Sequence, residues 1–204
     1  FLGREVRGDV SNALVPALSD RFRLEQAGFT YTTDDYFAYM DEGDDSLIIA
    51  IPDLALGRLP AGTAAAAEQM VDAVIAYERD APAGSWRNRM VLATDDYSKN
   101  CDDIDTIDHT SQAEVLVDRA IPAAIDIEKI YMCEWDCDFA GFKPAPQNAL
   151  FQALDEGVLI FNYVGHGGND VLSDEQLLLS TRLASLANGN RRYVFISASC
   201  NVGK

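Results

Sequence analysis

Positive charge is scarce in this chain. Sixteen lysines and arginines face 33 aspartates and glutamates over 204 residues, a formal net charge of −17. Nucleic-acid phosphates would be repelled by that balance, whereas cationic partners or hard cations such as Ca2+ suit it. Long apolar runs are missing as well; nothing approaches the roughly 18 residues of a membrane-crossing helix. There is no internal repeat and no low-complexity stretch. No secretory leader is recognisable, but a chain running from Phe1 to Lys204 reads as a mature fragment or an excised segment, so that lack says nothing of compartment. Cysteine is sparse (Cys101, Cys133, Cys137 and Cys200) and leaves the redox setting open. Cys133 and Cys137 could form a short disulfide, hold a metal, or stay buried as thiols. Histidine is rarer still: His109 and His166 only.

What the chain has is apolar residues, 48% of the total, enough for a sizeable core in one or two domains. Residues 1 to 30 carry little pattern. The acidic stretch Asp41-Glu42-Gly43-Asp44-Asp45 fits a solvated turn or a Ca2+ loop, although not with EF-hand spacing. Leu47 to Leu54 is expected to be a buried strand. Thr63 caps a helix through Arg79, with Ala67, Met70, Val71, Val74 and Ile75 at helical period. Ala81-Pro82-Ala83-Gly84-Ser85 is the best linker and a candidate subdomain boundary.

Past the linker, Arg89–Thr94 is a strand ending on Asp95-Asp96, and an acidic loop follows to Asp108. His109–Ala120 has helical periodicity, and Ile127–Met132 is a second strand. Pro146 opens a helix that Gly157 ends. Gly157–Val164 then runs into Gly165-His166-Gly167-Gly168, and Arg192–Ser199 runs into Cys200. A helical pattern over Ser173–Ala187, with Leu177, Leu178, Leu183 and Leu186, is expected between these last two strands. The order β-α-β-α-β-α-β predicts a mostly parallel sheet covered on both faces, a three-layer α/β/α sandwich. His166 and Cys200 then end successive strands of one βαβ unit and share the carboxyl rim, where open α/β sheets carry their sites.

The chemistry available at that rim is acyl transfer. A cysteine peptidase needs a thiolate, a histidine that moves protons, and donors for the developing oxyanion. Cys200 at a strand end suits the first role and His166 the second. The backbone N–H groups of Gly167 and Cys200 are candidate oxyanion donors. An acid for the histidine has to come from another strand end on the rim, where Asp95 and Asp96 stand. His109 is read as a helix-start residue that caps or pairs with acids. The competing reading makes His166 a structural histidine and Cys200 a small core hydrophobe.

Asn162-Tyr163-Val164-Gly165-His166-Gly167, with Phe195-Ile196-Ser197-Ala198-Ser199-Cys200-Asn201-Val202-Gly203, resembles the catalytic core of gingipain-type C25 cysteine peptidases, of the caspase-like clan. Thr33-Asp34-Asp35-Tyr36-Phe37, Leu56-Gly57-Arg58-Leu59-Pro60 and Ile75-Ala76-Tyr77-Glu78 extend the resemblance upstream, particularly to the surface sortase branch of type IX secretion. The resemblance covers roughly residues 30 to 204. It implies a caspase-like fold of two side-by-side subdomains. Residues 1–85 would be the end of an N-terminal subdomain, and 86–204 a catalytic subdomain cut off just after its nucleophile. It further implies Cys200 as nucleophile and His166 as partner, with Asp96 as supporting acid and Asp95 in reserve.

At the position where arginine-specific members carry a pocket aspartate stands Thr106, flanked by Asp105 and Asp108. The family's Ca2+ binding directs attention to Asp34, Asp35, Asp44, Asp45, Asp102 and Asp103 as structural ligands, while the chemistry itself needs no cofactor. Polypeptide substrates, the rest of the same protein as a partner, and a secreted or bacterial cell-surface location follow from the same resemblance. The alternative is a catalytically inactive, calcium-stabilised binding or scaffold domain.

Overall fold

The computed structural model describes residues 34–40, 53–99, 101, 103–104 and 107–202. The chain forms two compact units, Phe1–Ala76 and Tyr77–Lys204. In the first, Asp34 precedes a 3-10 turn, Asp35–Ala38, and its carboxylate is held bidentately by Arg58 at 2.5 and 2.7 Å. Asp53 accepts the Met40 N–H at 2.9 Å. Helix α1 spans Ala64–Asp80; Thr63 caps it, its Oγ1 accepting the Ala66 N–H at 3.1 Å. The expected strand over 47–54 lies outside the described residues up to 52, and Leu54 is exposed.

The second unit carries the sheet. Strand β1 is Arg89–Thr94, and a small hairpin, β2 (Ser98–Lys99) with β3 (Asp103–Ile104), follows it. Helix α2 is His109–Arg119, β4 is Asp126–Tyr131, and α3 is Pro144–Glu156. Strand β5 (Ile160–Val164) leads to the antiparallel pair β6 (Val171–Leu172) and β7 (Leu178–Leu179), and β8 is Val194–Ala198. The main sheet has the order β4-β1-β5-β8, with every neighbouring pair parallel.

Period-two alternation sends β1 side chains to two cores. Val91 and Ala93 pack with Leu150, Ala153 and Leu154 of α3, together with Ile130, Phe161 and Tyr163. Met90 and Leu92 pack on the other face with Ala113 of α2, Tyr131 and, at the margin, Leu116 and Val117. Helices therefore cover both faces of the central strands, in the expected α/β/α layering. Strand β8 is the exception: Val194, Phe195 and Ile196 are 58%, 40% and 47% exposed. Phe195 nevertheless stacks on Phe161, ring centroids 4.9 Å apart.

Two expectations need correction. No α-helix joins β5 to β8 among the described residues. Val171-Leu172 pairs with Leu178-Leu179, Ser173 and Gln176 take positive φ at the turn, and only a 3-10 segment, Ser180–Ser185, follows. The leucine spacing that looked helical serves the hairpin and the core beneath it, where Leu172 and Leu177 are buried. The second concerns cysteine. Cys137 bonds Cys101, with Cα atoms 6.4 Å apart, and Cys133 is a free, exposed thiol. Cys133 sits in the 3-10 turn Met132–Glu134, whereas the partner of Cys137 comes from the loop after β2, a pairing invisible in local spacing.

Candidate active site

The parallel register of β5 and β8 aligns Val164 with Ala198. His166 and Cys200 each lie two residues beyond that pair, on the same rim. The two loops are in contact: the Gly165 N–H donates to the Ala198 carbonyl at 3.2 Å. A Cβ on Gly167 would lie 2.3 Å from Ser199 Oγ and 3.2 Å from the Cys200 carbonyl, so only glycine lets the strands' ends come this close. Cys200 is exposed and unbridged. His166 is half-buried. Its carbonyl accepts from the Ser173 N–H at 3.0 Å and from Tyr163 Oη at 2.7 Å. The Gly168 N–H donates to the Val171 carbonyl at 2.9 Å, and Gly167 stands opposite Leu172 in a short antiparallel bridge.

The acid beside the histidine is Asp95, and the expectation of Asp96 is revised. Asp95 is buried, and its Oδ2 accepts the His166 N–H at 2.9 Å. A carboxylate oxygen of Asp95 and ring nitrogens of His166 and His109 all lie within 4.8 Å of one another. Asp96, with a carboxylate oxygen within 4.8 Å of one of Asp95's, is engaged elsewhere. Its carboxylate pairs with the buried Lys143 and accepts from the Ser98 N–H at 2.8 Å. Burial is the largest influence on Asp95 and raises its carboxyl above the ordinary 3.8, against the lowering effect of the His166 N–H. The neighbouring Glu175, which accepts from Ser173 Oγ at 2.6 Å, is likewise pushed up, chiefly by burial.

A carboxyl raised in the fold favours the folded state most below its unfolded value, and that contribution is lost as pH rises through the folded value. Asp95→Asn is therefore expected to gain thermal stability relative to the wild type as pH rises above about 4. Melting curves between pH 4 and 6 check this; a constant difference would contradict it.

His109 was not foreseen as part of the rim. Asp108 caps α2, accepting from the Ser111 N–H at 2.8 Å and Ser111 Oγ at 2.6 Å, and also from Tyr97 Oη at 3.0 Å. That frees His109 to turn inward, where it is buried and meets His166 edge to face, centroids 5.3 Å apart. The Ser111 hydrogen bonds hold the Asp108 carboxyl below its ordinary value. Its oxygens thus accept from the cap and from Tyr97. Asp105 and Thr106 lie outside the described residues.

Of the expected Ca2+ ligands, only Asp34 has a described side chain. It pairs with Arg58, whose hydrogen bonds hold its carboxyl below the usual range. Asp44, Asp45 and Asp102 lie outside the described residues, as do the side chains of Asp35 and Asp103.

Gly165 is a second tight point of the site. A Cβ there would stand 2.4 Å from Asp95 Cβ and 2.5 Å from Tyr163 Oη. Both neighbours are buried and hydrogen-bonded, so neither can move cheaply. Gly165→Ala is expected to cost about 1–3 kcal/mol and to push Asp95 away from the His166 loop. Denaturant unfolding reads the loss.

A parallel α/β sheet with helices on both faces, carrying a free thiol and an imidazole on neighbouring strand ends, defines the caspase-like class of fold. The chain belongs to peptidase family C25, whose model matches residues 3–204. Among solved structures it is similar to the Arg-specific cysteine proteinase gingipain R, with a TM-score of 0.59 at 17% identity over 83% of this chain and 36% of that one. The complex of Porphyromonas gingivalis RgpB pro- and mature domains gives 0.53 at 19%, over 80% and 37%. The chain thus spans little more than a third of either, and at these identities the likeness is one of fold. No curated protein matches.

Proposed function

We propose that this chain is the catalytic part of a cysteine endopeptidase that cleaves peptide bonds through a Cys200 thioester. The observation that carries the proposal is the register: His166 and Cys200 stand at equivalent positions past Val164 and Ala198, on loops in contact. In the reaction, the His166 imidazole takes the Cys200 thiol proton and the sulfur attacks the scissile carbonyl carbon. The N–H groups of Gly167 and Cys200 face the developing oxyanion. The amine then leaves with the proton from His166, and water or a second amine resolves the thioester. Asp95 is the supporting acid, holding the His166 backbone and lying near its ring.

In the finer reading, residues 1–85 end an N-terminal subdomain and 86–204 form the catalytic one. The remainder of the protein completes the substrate pocket, and the enzyme is a secreted or surface peptidase of the sortase type serving type IX secretion. The Cys101–Cys137 bridge supports an oxidising compartment. Among the described residues no helix is long and apolar enough to cross a membrane. An amine adduct of the acyl product, sought by mass spectrometry, separates transpeptidation from hydrolysis.

The test of the central claim uses a peptidyl electrophile on the protein. Cys133 is equally a free, exposed thiol and serves as an internal control. Selective labelling of Cys200 that disappears in His166→Ala supports the proposal. Equal labelling of both thiols, unaffected by His166→Ala, overturns it.

A further inference from the structure

The buried imidazole of His109 has a nitrogen that the peptidase chemistry leaves unused. His109 is 7% exposed, and its Nε2 has no hydrogen-bond partner among the described residues. Its Nδ1 lies 3.4 Å from Gln112 Oε1, one turn along α2. An Nδ1–H directed at that oxygen leaves Nε2 as a lone pair, the tautomer and outer-shell contact typical of a metal-ligating histidine. Burying such a nitrogen without a partner costs free energy, so it is a place where a ligand gains more than on the surface.

What faces Nε2's ring is a donor set. A nitrogen of His166, a nitrogen of His109 and a carboxylate oxygen of Asp95 lie within 4.8 Å of one another. Tetrahedral coordination at about 2.1 Å separates ligand atoms by roughly 3.4 Å, so the three donors need to close by at most about 1.4 Å. His166 sits half-buried on a loop and can supply that movement by side-chain rotation. The surroundings favour a cation: Asp96 and Glu175 have carboxylate oxygens within 4.8 Å of one of Asp95's, against one buried ammonium, Lys143. Two imidazoles and one carboxylate select a borderline ion over Ca2+, which takes six to eight oxygens.

We propose that Asp95, His109 and His166 form a binding site for a divalent transition ion, Zn2+ in the first place, and that its occupancy reversibly arrests the enzyme. The arrest rests on the peptidase reading above: a metal-bound His166 nitrogen cannot accept the Cys200 proton. Binding itself does not rest on it. The fourth position is open to water or to the Cys200 sulfur.

Calorimetric titration of Zn2+ into Cys200→Ala removes the thiol from consideration. One ion per chain is expected, with affinity lowered at least about tenfold by His109→Gln. Because a buried substitution can unfold the chain, a second measurement uses the unaltered fold. The chain contains only two histidines. In its NMR spectrum both imidazoles should shift together at one equivalent of Zn2+, and neither with Ca2+. Zn2+ binding that vanishes in Cys200→Ala, persists undiminished in a folded His109→Gln, or moves only one imidazole overturns the site. Zn2+ bound through both histidines while cleavage is absent even without metal would keep the site and reject the peptidase reading, whereas cleavage that persists at saturating Zn2+ would overturn the arrest.

Discussion

Cys200→Ala is expected to lower kcat for peptide cleavage by about 10³-fold or more while leaving the melting temperature where it was. The two halves of that statement have separate causes. The side chain is exposed and bonded to nothing covalently, so its removal leaves no cavity and no orphaned polar group. The sulfur is nevertheless the atom that forms the acyl intermediate under the proposed mechanism. His166→Ala should cost a comparable factor. The double variant should be little worse than either alone, because nucleophile and base act as one unit. Initial rates on a peptide series, with thermal unfolding of each variant, decide the matter. Cleavage that survives in Cys200→Ala would place the nucleophile elsewhere, with Cys133 the first suspect as the other free thiol.

Much of this rim is legible in the residue order. Strand β1 falls on Arg89–Thr94 because five successive buried residues, Met90 to Thr94, precede two acids. Helix α3 is framed by Pro144 and Pro146 at its start and by Gly157, at φ +100°, at its end. Parallel order then follows from the alternation of elements, and with it the neighbouring positions of His166 and Cys200.

What escapes the sequence is orientation and long-range pairing. Asp95 and Asp96 are indistinguishable as letters, yet the last turn of β1 sends one toward His166 and the other toward Lys143, 47 residues away. His109 looks like a helix-start residue until Asp108 is seen to take the cap. The Cys101–Cys137 bridge closes over 36 residues, and nothing local announces it. The crossover before β8 misleads for a different reason. Four leucines at helical spacing also satisfy a hairpin followed by a 3-10 turn, and short apolar patterns do not separate the two.

Lys143→Met should be the most destabilising single substitution in the second unit. The lysine stands immediately before α3, with its side chain 5% exposed and that of Asp96 4% exposed. Its Nζ also donates to the Met132 carbonyl at 2.7 Å, and its backbone N–H to Glu175 at 3.1 Å. Methionine fills a similar volume but brings no charge. Asp96 would then be buried beside Asp95 and Glu175 with no cation, three carboxylates with oxygens within 4.8 Å.

Removing one partner of a buried pair costs about 3–5 kcal/mol, because the other charge remains desolvated. For a chain of this size that is a fall on the order of 10 °C in melting temperature. The companion variant Lys143→Met with Asp96→Asn removes the stranded charge and should recover most of the loss. No recovery would mean that Lys143 acts through its contact with Met132. The pair also bears on the rim itself: Asp96 anchors the turn that carries Asp95, so a folded Lys143→Met should lose the hydrogen bond from the His166 N–H to Asp95. Faster amide exchange at His166 would reveal that loss even where the fold survives.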